Sequence, residues 1–221
     1  MYLWRIASRH WHAFDFLVHI FTYRLLRATK WKIYRRRMIR TRRGKLVRKV
    51  LLHAIKKRFW KLPSTRRYTS VSFPRRGYTD VEDGKVYWES PLGVTVWNEH
   101  GPVCSLGVEY WNDTLCIRQL QGVAGARAPS DFKDWPRVFV DACVETARRM
   151  GMRRVRLYRA DQSLFYSFPS LEDVPNGEYD RVVAELRNRM RRRYDGTARQ
   201  MGFAMKRRWG EWVNPKRVRS R

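Results

Sequence analysis

Acidic residues are nearly missing from the front of this 221-residue chain: residues 1–67 hold 21 Lys and Arg and a single acid, Asp15. A helix laced with its own salt bridges is therefore excluded there. Cysteine is scarce as well. Cys104, Cys116 and Cys143 are odd in number and lack CxxC spacing, so neither a disulfide framework nor a zinc site is signalled. Each is expected to be a small buried hydrophobe in an intracellular, reducing compartment. Of the five histidines, His12 and His19 lie seven apart on one helical face, but no Cys or carboxylate cluster stands near them, so no metal is expected. HExxH, GxSxG, Walker A and Rossmann patterns are all absent. Long apolar runs are missing too. The best window, residues 13–28, is interrupted by Asp15, His19, Arg24 and Arg27 and falls short of the roughly 20 residues a membrane span needs. No small-residue cleavage site follows it, although the amphipathic, Arg-rich start shares features with organelle transit peptides, which keeps organelle import open.

What is present is cationic charge and material for a core. The formal net charge is +28, and a surplus of that size repels itself unless a polyanion neutralises it. The surplus is concentrated: residues 68–221 carry 27 Lys and Arg against 19 acids, a far milder balance than the first 67. With 14% aromatic residues the chain has more packing material than a disordered basic tail would carry. These contrasts divide it into a basic, aromatic-rich helical arm, residues 1–67, and one domain of ordinary size, residues 68–221.

In the arm, Phe14, Leu17, Val18, Phe21 and Leu25 recur at helical spacing. A second helix follows Gly44, with Leu46, Val47, Val50, Leu51, Ala54, Ile55 and Phe59 on its apolar face and Pro63 ending it. Residues 29–61 hold 15 Lys and Arg and no acid. Cations neutralise phosphates and release counterions, and interleaved rings stack on unpaired bases, so this mixture suits nucleic acid, RNA above all. The candidate contacts are Lys30, Trp31, Lys32, Tyr34, Arg35, Arg36, Arg37, Arg40, Arg42, Arg43, Lys45, Arg48, Lys49, Lys56, Lys57 and Arg58. No base-reading motif is present, so the expected binding is to the backbone with weak sequence preference. An anionic membrane surface is the alternative partner, with Trp4, Trp11, Phe14, Phe16, Phe21 and Trp31 as an interfacial face.

From Lys85 the period changes to two. Residues 85–89, a stretch with Val94 and Val96 alternating, 103–110 and 114–121 read as strands, with turns at Asn98-Glu99-His100-Gly101 and Trp111-Asn112-Asp113. Residues 64–77 read as a linker or an edge. A helix over residues 135–150, a strand over 154–158, a helix over 179–201 weakened at Gly196, and a closing strand or hairpin over 203–213 complete an α/β (α+β) arrangement.

This order resembles the GNAT superfamily of N-acyltransferases, and Gln119-Leu120-Gln121-Gly122-Val123-Ala124 matches that family's Q/R-x-x-G-x-G/A loop. The resemblance implies a mixed sheet with flanking helices, here preceded by the basic arm, and a V-shaped gap between two strands beside the loop. It also implies binding of acetyl-CoA or another acyl-CoA through Gln119, Gln121, Gly122, Val123 and Ala124, whose N–H groups would meet the pyrophosphate at a helix start. In this sequence about ten residues, with Pro129, Asp131 and Asp134, separate that loop from the helix. Tyr194 corresponds to the family's late tyrosine, a general acid, although it stands eight residues before Gly202-Phe203 where the family has about four. Amine acylation also needs a base. Glu109 is the only acid in strand 103–110 and alternates onto one face with Val103, Ser105 and Gly107; a solvated strand residue is its other reading. A strongly cationic body favours an amine presented on RNA or a nucleotide over a free cationic amine. The C-terminal half is also similar to VirK-type proteins, through residues 115–122 and Tyr194-Asp195.

Overall fold

The computed structural model describes residues 41–63, 65–72, 78–81, 84–87, 90, 92–123, 130–163, 166, 178–206 and 211–214. The chain divides into two compact units, Met1–Gly44 and Lys45–Arg221. Of the first, only residues 41–44 are described, so the helix expected from the spacing of Phe14 to Leu25 and the candidate contacts Lys30 to Arg40 lie outside the described residues.

Helix α1, Arg42–Phe59, starts two residues before Gly44, because the Thr41 hydroxyl accepts the Gly44 N–H at 3.1 Å and serves as its N-cap. Val47, Leu51, Ala54, Ile55 and Phe59 are fully buried at the spacing of one helical face, whereas Leu46 falls off that stripe and is exposed. This stripe belongs to the same core as the sheet. The sequence boundary at residue 67 follows charge; the structural one at Gly44 follows packing.

β1 (Arg67–Ser72), β4 (Leu92–Asn98), β5 (Gly101–Trp111) and β6 (Thr114–Gly122) form an antiparallel run, with β1 at the edge. Between β1 and β4 a hairpin, β2 (Tyr78–Val81) with β3 (Gly84–Tyr87), makes a separate two-stranded sheet. The strand expected over residues 85–89 thus forms slightly early and pairs outside the main sheet. After β6 comes a short 3₁₀ turn, Ser130–Phe132, and then α2, Trp135–Arg149, the crossover to β7 (Arg154–Tyr158), which lies parallel to β6. Helix α2 stops where Gly151 takes φ +65, a left-handed conformation that favours glycine.

A 3₁₀ turn, Ala160–Gln162, leads on toward α3, Tyr179–Arg191. A five-residue π turn, Arg192–Gly196, then joins α3 to the single-turn α4, Thr197–Gln200. The weakening expected at Gly196 is therefore one extra residue in a continuous helical path. β8 (Ala204–Lys206) and β9 (Glu211–Val213) close the chain as an antiparallel hairpin, with β9 against β7. The sheet order is β1-β4-β5-β6-β7-β9-β8.

One face of β4, β5 and β6 is apolar. Val94, Val96, Leu106, Val108, Leu115, Ile117 and Leu120 join α1 and the Phe139 side of α2 in a single core. Phe59 stands 5.0 Å from the Phe139 ring and 5.9 Å from Phe132. At the margin of that contact Arg58 ion-pairs with Glu145, which also pairs with Arg149. Burial pushes the Glu145 carboxyl up, but the Arg58 hydrogen bond and the charges of Arg58, Arg149 and Lys57 outweigh it and hold it below its ordinary value. The stabilisation so gained is fully present above the ordinary carboxylate value and is lost as pH falls from there through the lowered value of the folded protein. Cys104, Cys116 and Cys143 are all free and buried, as small hydrophobes would be.

Candidate functional site

The site begins with an irregularity in β6. Gly107 pairs with Gln119 and Val108 with Ile117, which leaves Arg118 as an extra residue in the ladder. On the other side β6 pairs with β7 only from Thr114/Arg154 to Ile117/Leu157. Beyond that point β6 runs on to Gly122, whereas β7 ends at Tyr158, so the parallel pairing stops where the bulge begins. The backbone N–H of Leu120 then donates to the Tyr194 hydroxyl at 2.8 Å. Tyr194 is itself buried, and the π turn carries it; the extra residue of such a turn re-aims the side chains around it.

The face of the sheet opposite the apolar core is polar yet withdrawn from water. Ser90, Thr95, Ser105, Glu109 and Gln119 are all buried. Thr95 and Ser105 share a hydrogen bond of 2.9 Å, and Gln119 Nε2 donates to Gln121 Oε1 at 2.6 Å. These polar groups cross over Gly107. A Cβ there would lie 1.9 Å from Ser90 Oγ and 2.8 Å from Gln119 Cβ, so only glycine leaves room.

Glu109 is buried, which removes the solvated reading. Arg118 Nη1 donates to its Oε1 at 3.0 Å, and the Tyr158 hydroxyl donates to the same oxygen at 3.4 Å. The Arg118 guanidinium also covers the Tyr158 ring, 4.7 Å from its centroid. The alternation that groups Glu109 with Val103 fails at Val103. β4 pairs Val96 with Cys104 and Trp97 with Pro102, so Val103 is an extra residue and enters the apolar core.

Of the residues expected to hold acyl-CoA, Gln119 and Gln121 bond each other on the polar face, Gly122 ends β6, and Ala124 lies outside the described residues. The Val123 N–H is committed to Val103 O at 2.9 Å. The residue before α2, Asp134, makes no side-chain cap. Among the residues expected to meet nucleic acid, Arg42, Arg43, Lys45, Lys49, Lys56 and Lys57 are exposed on α1, Arg48 is half-buried, and Arg58 is held by Glu145. Among the described residues no group of three His, Cys, Asp or Glu side chains could hold a metal ion, and no helix is long and apolar enough to cross a membrane.

Sequence reading alone missed Arg118, Tyr158 and Arg193. Strict alternation from the turn puts Arg118 with Cys116 on the face of Glu109 and Gln119 on the other; the bulge turns Gln119 onto the polar face opposite Gly107. The available signal was the pair of opposite charges on two strands joined by the tight turn at Asn112.

No family model and no curated protein matches the chain. Several solved structures are similar to it, three of them as follows. Nourseothricin acetyltransferase is 17% identical over 41% of this chain and 61% of that one, with a TM-score of 0.24. Ard1 from Thermoplasma volcanium is 13% identical over 55% and 66%, at 0.26. A protein from Lactobacillus plantarum assigned as an N-acetyltransferase is 15% identical over 54% and 73%, at 0.27. The chain spans less than two thirds of the first two, and no residue role is carried over from any of them. Its own topology characterises the domain: with an antiparallel meander, a crossover helix, a parallel pair that separates and a closing hairpin, Lys45–Arg221 is a mixed α/β domain with a GNAT-like fold.

Proposed function

We propose that this domain transfers an acyl group from an acyl-CoA to an amine. The observation that carries the reading is the separation of β6 from β7 after Ile117 and Leu157, with the Tyr194 hydroxyl at the Leu120 N–H beside it. Attack of the amine on the thioester carbonyl forms the C–N bond and breaks the C–S bond. The amine proton passes to a base, for which Glu109 is the candidate, and the departing thiolate takes the proton of Tyr194. The Leu120 N–H then faces the phenolate oxygen and stabilises its charge. A scaffold would also fill the gap with a side chain, so binding is the deciding measurement. Calorimetry is expected to give saturable acetyl-CoA binding that Gly122→Trp abolishes without loss of cooperative unfolding. Silence of the unmodified chain at millimolar acetyl-CoA would reject the reading.

A second activity, binding of RNA or another polyanion, is supported by the solvent side of α1. Arg42, Arg43, Lys45, Lys49, Lys56 and Lys57 are exposed there, no acid occurs anywhere in the helix, and the Trp60 ring just beyond it is 78% exposed. Because α1 also supplies core residues, charge reversal tests this better than truncation. Changing Lys45, Lys49, Lys56 and Lys57 to Glu should weaken binding of single-stranded RNA and flatten the linear fall of log affinity with log salt. Unchanged affinity and slope would reject a role for this face. Equal binding to anionic vesicles after nuclease treatment would favour the membrane partner instead.

A further inference from the structure

Arg193, the neighbour of Tyr194 in the π turn, has a setting that the proposed chemistry does not use. Its guanidinium lies 5.2 Å from the centre of the Trp135 ring and close against Gly122, where a Cβ would stand 3.3 Å from Nη2. It therefore occupies the point where the last residue of β6 meets the first residue of α2. Partial removal from water pushes its pKa below the ordinary arginine value and outweighs the opposing effects of Tyr194 and Cys104, with the charge of Arg189 adding to the fall.

Among the described residues no carboxylate lies within ion-pair distance of Arg193. Glu185 is held by Arg181 and Arg189. The closest titratable sulfur, Cys104, is fully buried, and burial raises its thiol well above the ordinary value, so it is neutral near pH 7. Trp135 offers a ring face and Gly122 offers no side chain. A half-buried guanidinium with no carboxylate partner among the described residues is a costly arrangement, and its planar fork of donors matches the paired oxygens of a phosphate. The first turn of α2 is likewise uncapped by any side chain, so its N–H groups add to the same demand.

We propose that Arg193 is a side-chain anion site that binds the diphosphate of the acyl-CoA donor at the end of β6. This rests on the acyl-CoA reading and adds a contact that the backbone of the Gln119-to-Ala124 segment does not supply. A guanidinium laid between an indole and a glycine is fixed in direction before the ligand arrives, which favours a phosphate over a diffuse cloud of counterions.

The test is calorimetry of the full chain with acetyl-CoA, with acetyl-pantetheine, which has the same arm but no phosphate, and with inorganic pyrophosphate. Arg193→Gln should weaken acetyl-CoA and pyrophosphate by about tenfold or more, and shift acetyl-pantetheine by less than roughly twofold. Arg193→Lys should recover part of the loss as a point charge without the fork. Equal weakening of acetyl-CoA and acetyl-pantetheine would reduce Arg193 to a structural role and overturn the proposal, as would unchanged acetyl-CoA affinity. Binding of pyrophosphate through Arg193 by a chain that ignores acetyl-CoA would uphold the anion site and reject the acyl-CoA donor. Failure to bind any of the three would overturn both.

Discussion

Phe59→Ala is expected to cost about 3–5 kcal/mol of folding stability, the range for deleting a buried aromatic ring. Phe59 has no exposed surface and packs between Phe132 and Phe139, so its removal leaves a hole bounded by α1, the 3₁₀ turn before α2 and α2 itself. Urea unfolding followed by circular dichroism measures the loss directly. Lys49→Gln, on the exposed side of the same helix, should stay within about 0.5 kcal/mol and serves as the control. A loss under about 1 kcal/mol for Phe59→Ala would mean that α1 does not fold cooperatively with the sheet. The contrast matters because α1 has two faces with separate tasks: one is inseparable from the core, the other carries the charge for which a polyanion is proposed.

The second large effect is expected at the pair across the β5–β6 hairpin. Arg118→Met should cost about 2–3 kcal/mol, because it leaves the Glu109 carboxylate buried with the Tyr158 hydroxyl as its other neighbour. The figure sits below the usual loss for a fully buried pair because the Arg118 side chain keeps 31% of its exposure. Glu109→Gln alone should cost less, since a neutral amide is easier to bury and Arg118 can turn to water. Adding Glu109→Gln to Arg118→Met should then restore part of the stability, giving a coupling of about 1–2 kcal/mol in a double-mutant cycle. Additive losses would show that the two side chains do not sense each other and would remove Arg118 as the partner that holds the proposed base.

Much of this architecture can be read from the amino acids. β7 and α2 follow their periodicity almost to the residue, and the match at Gln119 to Ala124 falls on the strand end that carries the site. What the sequence does not disclose is where the periods slip. One extra residue at Arg118 brings Gln119 onto the face of Glu109, one at Val103 moves a valine into the core, and one in the Arg192–Gly196 turn aims Tyr194 at Leu120. A bulge alters neither composition nor propensity, so a pattern count passes over it; only pairing partners reveal it. The hairpin β2–β3 is hidden for a related reason: its residues read as strands, but nothing in them says that they pair with each other and not with the main sheet.

The sheet order carries one further consequence. β1, β4, β5 and β6 come from one continuous stretch of chain, while β7, β9 and β8 come from a later one. Among the described residues four parallel pairs join the two sections within the sheet. Hairpins form from neighbouring residues, whereas a parallel pairing waits for its crossover helix, so each section can zip up before the two are joined. A chain with both antiparallel sections formed and this parallel joint still open would lack the strand pair beside which acyl-CoA is proposed to bind.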